Sequence, residues 1–207
     1  MGRFAMEAAD IGAIGLGAHV DSGIYRGSFE DLEDLKKAST LPVVCDDFVI
    51  YGYQVFRAKA AGADAIRLMA SVLSAKEMRY LAKMANALGL TVIAVVSSKP
   101  QALDVLENVT EAEIVSFSSR NMRLWKLDPG KAHRLLSDPE IASAIARRRR
   151  VADEGSSNFL IMQEGLTDSN EITTAKTDNV DVLYLGEELG AFTNSHNLQD
   201  AMSKLLS

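Results

Sequence analysis

Only one of the 207 residues is a cysteine. Cys45 therefore has no partner for an internal disulfide, and its place in the apolar run Pro42 to Cys45 marks it as a buried thiol of a reducing compartment. An excess of positive charge is also missing, since 22 Lys and Arg stand against 28 Asp and Glu, for a net charge of −6. Broad capture of nucleic acid or of an anionic membrane is excluded on that ground. No hydrophobic run approaches the roughly 18 to 20 residues of a membrane span. The first fifteen residues lack a charged segment followed by an apolar one, so no leader is visible. The expected location is soluble and reducing, either the cytoplasm or an organelle stroma after a leader has been removed. The three histidines, His19, His133 and His196, show no metal-ligand spacing, and no metal site is expected.

What is present is ordinary globular composition, 47% hydrophobic and 24% charged, at a length one core can serve. A single domain over residues 1–207 is expected. Short β-branched runs alternate with longer stretches of helical period, the pattern of βα units around a parallel sheet. Strands are read at Ile11–Ala18, Pro42–Phe48, Ala65–Ser71, Thr91–Ser97, Glu113–Ser119, Asn158–Glu164 and Val180–Leu185. Helices are read at Phe4–Asp10, Ser28–Ser39, Tyr51–Ala61, Ser74–Leu88, Pro100–Asn108, Asp128–Ala152, Ser169–Thr177 and Asn197–Leu206. Ser28 suits an N-cap and Ser74 with Glu77 a capping box, while Gly62 and Gly89 stand where helices stop. Gly12, Gly15 and Gly17 do not form the glycine-rich turn of a dinucleotide fold, so a TIM-type (β/α)8 barrel is the expected architecture, apparently without its first strand in this chain.

The ordered motifs resemble those of the indole-3-glycerol-phosphate synthases, barrel enzymes of tryptophan biosynthesis that close the indole ring with loss of water and carbon dioxide. The anchors are Gly27-Ser28-Phe29-Glu30-Asp31-Leu32, Leu41-Pro42-Val43-Val44 with Asp47-Phe48-Val49-Ile50, and Tyr53-Gln54-Val55. Ala60-Ala61-Gly62-Ala63-Asp64-Ala65-Ile66, Leu88-Gly89-Leu90, Arg120-Asn121-Met122 and Leu185-Gly186-Glu187 continue the series at matching spacing. The resemblance covers nearly the whole chain and implies no cofactor.

The same resemblance fails at the chemistry. Where the family places a general-acid lysine, this chain has Asp46, which lacks the lysine's positive charge. Val95 stands for a catalytic glutamate, Ser118 for an orienting asparagine and Gln163 for a second glutamate. The family's first-strand Glu-Ile-Lys-Lys motif does not precede Met1, and Leu35-Lys36-Lys37-Ala38-Ser39 imitates it only by letters, at the end of a helix. Phe48, Leu68 and Arg120 match pocket-lining positions, and Gly165 and Gly186 match the phosphate loops. Glu164 and Glu188 bring negative charge to those loops, so a small phosphorylated ligand is expected to bind weakly.

Arg67 is unusual in a parallel strand, where both faces are normally apolar, and an ion pair with a barrel acid is its expected partner. The run Arg147 to Arg150 reads as a solvated helix face near a C-terminus. Seven strands leave two edges, so a gap is expected between the first and last strands, filled by an upstream segment or a protein partner. The function implied is a synthase-like barrel without ring closure, retained for binding, assembly or regulation. The alternative is an active carbon–carbon lyase of tryptophan biosynthesis or a related phosphosugar enzyme.

Overall fold

In the computed structural model, residues 2–122, 124, 126–155, 158–166 and 168–186 are described. The expected helix Asn197–Leu206, together with Glu187 and Glu188, lies outside them. Seven parallel strands form one curled sheet in the order β1 (Leu16–His19), β2 (Val43–Asp46), β3 (Ala65–Met69), β4 (Thr91–Val96), β5 (Ile114–Ser118), β8 (Leu160–Glu164) and β9 (Val182–Tyr184). Between β5 and β8, the short strands β6 (Arg120–Asn121) and β7 (Lys126–Leu127) pair antiparallel as a separate hairpin. Among the described residues the helices are α1 (Gly2–Asp10), α2 (Phe29–Ala38), α3 (Gly52–Ala60), α4 (Ala75–Ala87), α5 (Lys99–Asn108), α6 (Lys131–Leu136), α7 (Pro139–Glu154) and α8 (Ser169–Thr177). The seven strands read from the sequence are these seven, and their parallel order is that of a TIM-type barrel.

Helix starts follow local chemistry. The Ser28 hydroxyl accepts from the Asp31 N–H at 3.2 Å, while Glu30 and Asp31 place charge at the positive end of α2. Ser74 and Glu77 exchange side-chain and backbone bonds as a capping box. Asp168 caps α8 through the Glu171 N–H at 3.0 Å. Gly62 and Gly89 hold positive φ angles of 92° and 67° beyond α3 and α4, a backbone region that glycine enters without penalty.

Two boundaries differ from expectation. The first strand begins at Leu16 rather than Ile11, because Gly12 turns the chain at φ 86° and Ile14 is left 71% exposed. The helical region Asp128–Ala152 is two helices, α6 and α7, because Asp138 interrupts it, its carboxylate accepting from the Glu140 N–H at 3.0 Å where Pro139 opens the second helix.

Strand residues alternate between two apolar layers. Leu68, Ala94, Val96, Val115, Phe117 and Ile161 face the helices in the large core cluster. Ala65, Met69, Ile93, Val95 and Met162 fill the inside of the curl, with Phe48 and Tyr184 packed against them. Arg67 lies between Ala65 and Met69 on that inner face.

No ladder joins β1 to β9 among the described residues. The Tyr184 side chain occupies the approach to β1 instead, lying so near Gly17 that a Cβ there would collide with the phenol hydroxyl. Gly17→Ala is expected to cost about 1–3 kcal/mol by overpacking this seam. Gly23→Ala, whose Cβ would meet only Asp21 carboxylate oxygens at 3.6 and 3.7 Å, is the control, expected within about 0.5 kcal/mol of the parent. Urea unfolding midpoints of the two variants check the difference, and equal midpoints would mean the seam is loose.

Candidate functional site

The C-terminal ends of the strands converge on one polar cluster. Cα register sets His19 of β1 beside Asp46 of β2, and Glu164 of β8 beside Tyr184 of β9. Arg67, rising from β3, donates to the Asp46 carboxylate at 2.6 Å and pairs through its other terminal nitrogen with Glu164. Its guanidinium also lies 4.8 Å from the Tyr184 ring centroid. The Tyr184 hydroxyl donates to Asp46 at 3.0 Å and the Ser116 hydroxyl to Glu164 at 3.2 Å.

The side chains of Arg67 and Asp46 are only 6% and 4% exposed. Desolvation works against the buried guanidinium, but the charges of Glu164 and Asp46 outweigh it and hold Arg67 above its ordinary pKa. Burial pushes the Tyr184 phenol up, and the Asp46 charge adds to the effect, so the phenol stays a hydrogen-bond donor. Burial also pushes the Cys45 thiol up to about 12, helped by the negative charges of Asp47 and Asp46, which removes it as a nucleophile at neutral pH.

Above the network lies a cavity of about 60 Å³, walled by His19, Tyr25, Phe48, Met69 and Met122 with Asp21, Asp47 and Arg120. His19 and Tyr25 stack with ring centroids 3.7 Å apart, which fixes the loop after β1 to the cavity wall. Asp21 holds that loop by accepting from the Ile24 and Tyr25 N–H groups. Pockets for drug-sized ligands run to about 300–1,000 Å³. The space that remains suits a few waters.

The profile of the indole-3-glycerol phosphate synthases matches residues 1–205. The chain belongs to the indole-3-glycerol phosphate synthase family. It is similar to the curated synthase of Microcystis aeruginosa, 29% identical over 178 residues, which are 86% of this chain and 56% of that protein. The synthase of Prochlorococcus marinus is 27% identical over 196 residues, 95% of this chain and 62% of that one. The chain thus spans about three fifths of the length of these relatives. Among solved structures it resembles the tryptophan synthase A-subunit of the hyperthermophile Pyrococcus furiosus at a TM-score of 0.62 and 12% identity, covering 99% of this chain and 89% of that one. That likeness carries the fold alone.

The positions matched to synthase motifs divide between the two faces of the sheet. Asp46, Phe48 and Arg120 reach the cavity, and Val95 belongs to the apolar filling beneath it. Leu68 packs in the layer under the helices. Gln163 is 1% exposed and its side-chain amide oxygen has no hydrogen-bond partner. Glu164, its neighbour, is the carboxylate that reaches the cavity. Ser118 is buried, its hydroxyl accepting from the Arg120 N–H at 3.2 Å. Gly165 holds φ 73° against Leu127 and Ser119, and Gly186 follows β9.

His19, Tyr25, Asp47 and Tyr184 are cavity or network residues that sequence reasoning did not single out. Tyr184 was legible only as an apolar strand position, since nothing local announces that a phenol will bridge to β1 and β2. Among the described residues, no cluster of three or more His, Cys, Asp or Glu is arranged to hold a metal ion, and no helix is long and apolar enough to cross a membrane. The arginine run is largely used internally. Arg147 meets Glu107 at 3.4 Å, Arg148 bonds three backbone carbonyls, and Arg149 pairs with Asp181 at 2.6 Å.

Proposed function

We propose that this barrel does not close the indole ring and serves instead in binding, assembly or regulation. The observation that carries the reading is Arg67 paired to both Asp46 and Glu164 across the inside of the barrel. Asp46 carries no positive charge of its own and is spent on a buried guanidinium, so it does not replace the lysine that the resemblance places there. Val95 has no ionisable group, and Gln163 does not titrate. Losing an acid and a base costs on the order of 10²–10⁴-fold for each proton-transfer role. Glu164 lies where the resemblance puts a phosphate-binding serine, and its charge opposes an anion there.

The rival reading, a carbon–carbon lyase of tryptophan biosynthesis or a related phosphosugar enzyme, draws on the match across residues 1–205. One assay separates them. Pure chain incubated with the anthranilate-derived ribulose phosphate should release no indole product above the protein-free rate, followed by indole fluorescence. Sustained turnover that disappears in Asp46→Asn, with circular dichroism unchanged, would make Asp46 the acid and the protein an enzyme.

A further inference from the structure

We infer that the mouth of the barrel docks a protein segment in which a lysine or arginine is flanked by large apolar side chains. This rests on the reading that the mouth no longer serves turnover, and it names the kind of partner the mouth takes instead. Ile24 on the loop after β1, Ile50 and Tyr51 on the loop after β2, and Val72 on the loop after β3 are 42–61% exposed. β1, β2 and β3 are adjacent in the sheet, so their C-terminal loops form one continuous arc of the rim. None of the four belongs to an apolar core cluster. Single exposed apolar residues are common on any surface, but several on neighbouring loops at one end of a barrel mark a site of contact.

The charge set among them selects the partner. Asp21 and Asp47 stand on the first two of those loops and line the cavity. The two carboxylates beneath them, Asp46 and Glu164, share the single positive charge of Arg67, so that cluster keeps one net negative charge. Neither Asp21 nor Asp47 forms an ion pair with a lysine or arginine among the described residues. Asp21 accepts from the backbone N–H groups of Ile24 and Tyr25, and Asp47 from that of Phe48 at 2.7 Å. Burial, reinforced by the negative charges of Asp21 and Asp46, holds the Asp47 carboxyl above its ordinary pKa. A cation arriving at the mouth would relieve that repulsion, whereas an acidic segment would add to it. The net charge of −6 acts in the same direction at long range, drawing basic partners in. Apolar side chains on the rim then exclude water around the ion pair, the arrangement that makes a buried contact dominate binding.

A phage-displayed library of short random peptides, panned on the immobilised full chain, tests this. The expected yield is peptides with a Lys or Arg between Leu, Ile, Phe or Trp residues. A synthetic copy of the most enriched peptide should lose about tenfold or more in affinity when its cation is replaced by norleucine. The same loss is expected with Asp47→Asn, and with Ile50→Ser combined with Val72→Ser, circular dichroism being unchanged. Enrichment of acidic or uncharged peptides, no enrichment, or affinity indifferent to both variants overturns the docking. So does a dimer in sedimentation that the rim variants dissolve, since the occupant would then be a second copy of the chain. An inert chain that selects no basic peptide overturns the docking alone, and turnover by the chain overturns the reading beneath it.

Discussion

Arg67→Leu is expected to lower stability by about 3–5 kcal/mol, because removing one member of a buried ion cluster strands the others without compensation. Asp46 and Glu164 would each lose their charged partner, and the Tyr184 ring would lose the guanidinium beside it. At about 2–4 °C per kcal/mol for a domain of this size, the melting temperature should fall by roughly 6–20 °C. Arg67→Lys is expected to lie between leucine and the parent, since one ammonium lacks the planar fork that reaches two carboxylates at once. The decisive comparison is Arg67→Leu combined with Asp46→Leu and Glu164→Met. If the cluster is held by mutual compensation, the triple change restores most of the loss, as apolar replacement of a whole buried ion cluster often does. Calorimetric melting of the three variants checks this, and a single leucine variant that melts with the parent would show that water already reaches the carboxylates.

Arg148→Ala is expected to cost about 2–4 kcal/mol, by leaving backbone carbonyls without the charged donor they now share. The side chain crosses from α7 to the end of α5, where its guanidinium donates to the carbonyls of Val105 at 3.1 Å, Val109 at 2.8 Å and Ala112 at 2.5 Å. It also lies 4.6 Å from the Phe159 ring centroid. The Val105 and Val109 carbonyls also accept from the Val109 and Ala112 N–H groups, at 3.0 and 3.3 Å, and the end of a helix carries its negative pole, so a cation is favoured there. Burial pulls this guanidinium down to about 10, the Glu111 charge offsetting part of that. The carbonyls and the ring supply what water no longer does. Arg148→Met should keep part of the packing and lose the bonds, falling between alanine and the parent. Arg150→Ala, at an exposed position of the same run, should stay within about 0.5 kcal/mol of the parent. Urea midpoints of the three variants provide the check. Equal losses at Arg148 and Arg150 would mean that charge number, not the carbonyl contact, is what α7 contributes.

These two arginines illustrate how far local sequence reaches. The strangeness of Arg67 is visible in Ala65-Ile66-Arg67-Leu68-Met69, because burying a charge in a parallel strand demands a counter-charge. Which carboxylates answer it is not visible. Asp46 lies 21 residues before it and Glu164 lies 97 after it, and only the curl of the sheet brings the three together. Arg148 reads as one member of a solvated basic run, since helical period says where a side chain points relative to its own helix and nothing about the carbonyls another helix ends on.

The order of strands, the helix caps at Ser28 and Ser74 and the family resemblance were determined by the sequence alone. They depend on period, on capping pairs three residues apart and on motifs in series, all of which are local. The tertiary structure decided which residues share the inner face at the mouth. Gln163 and Glu164 are adjacent in the chain, yet Glu164 lines the cavity and pairs with Arg67 while Gln163 does not. A strand alternates faces with every residue, so motif alignment locates such a pair without saying which member turns inward. Tyr184 sealing against Gly17 is of the same kind. The two ends of the sheet are more than 160 residues apart in the chain, and their approach is set by sheet curvature, a property of all seven strands and of no single one.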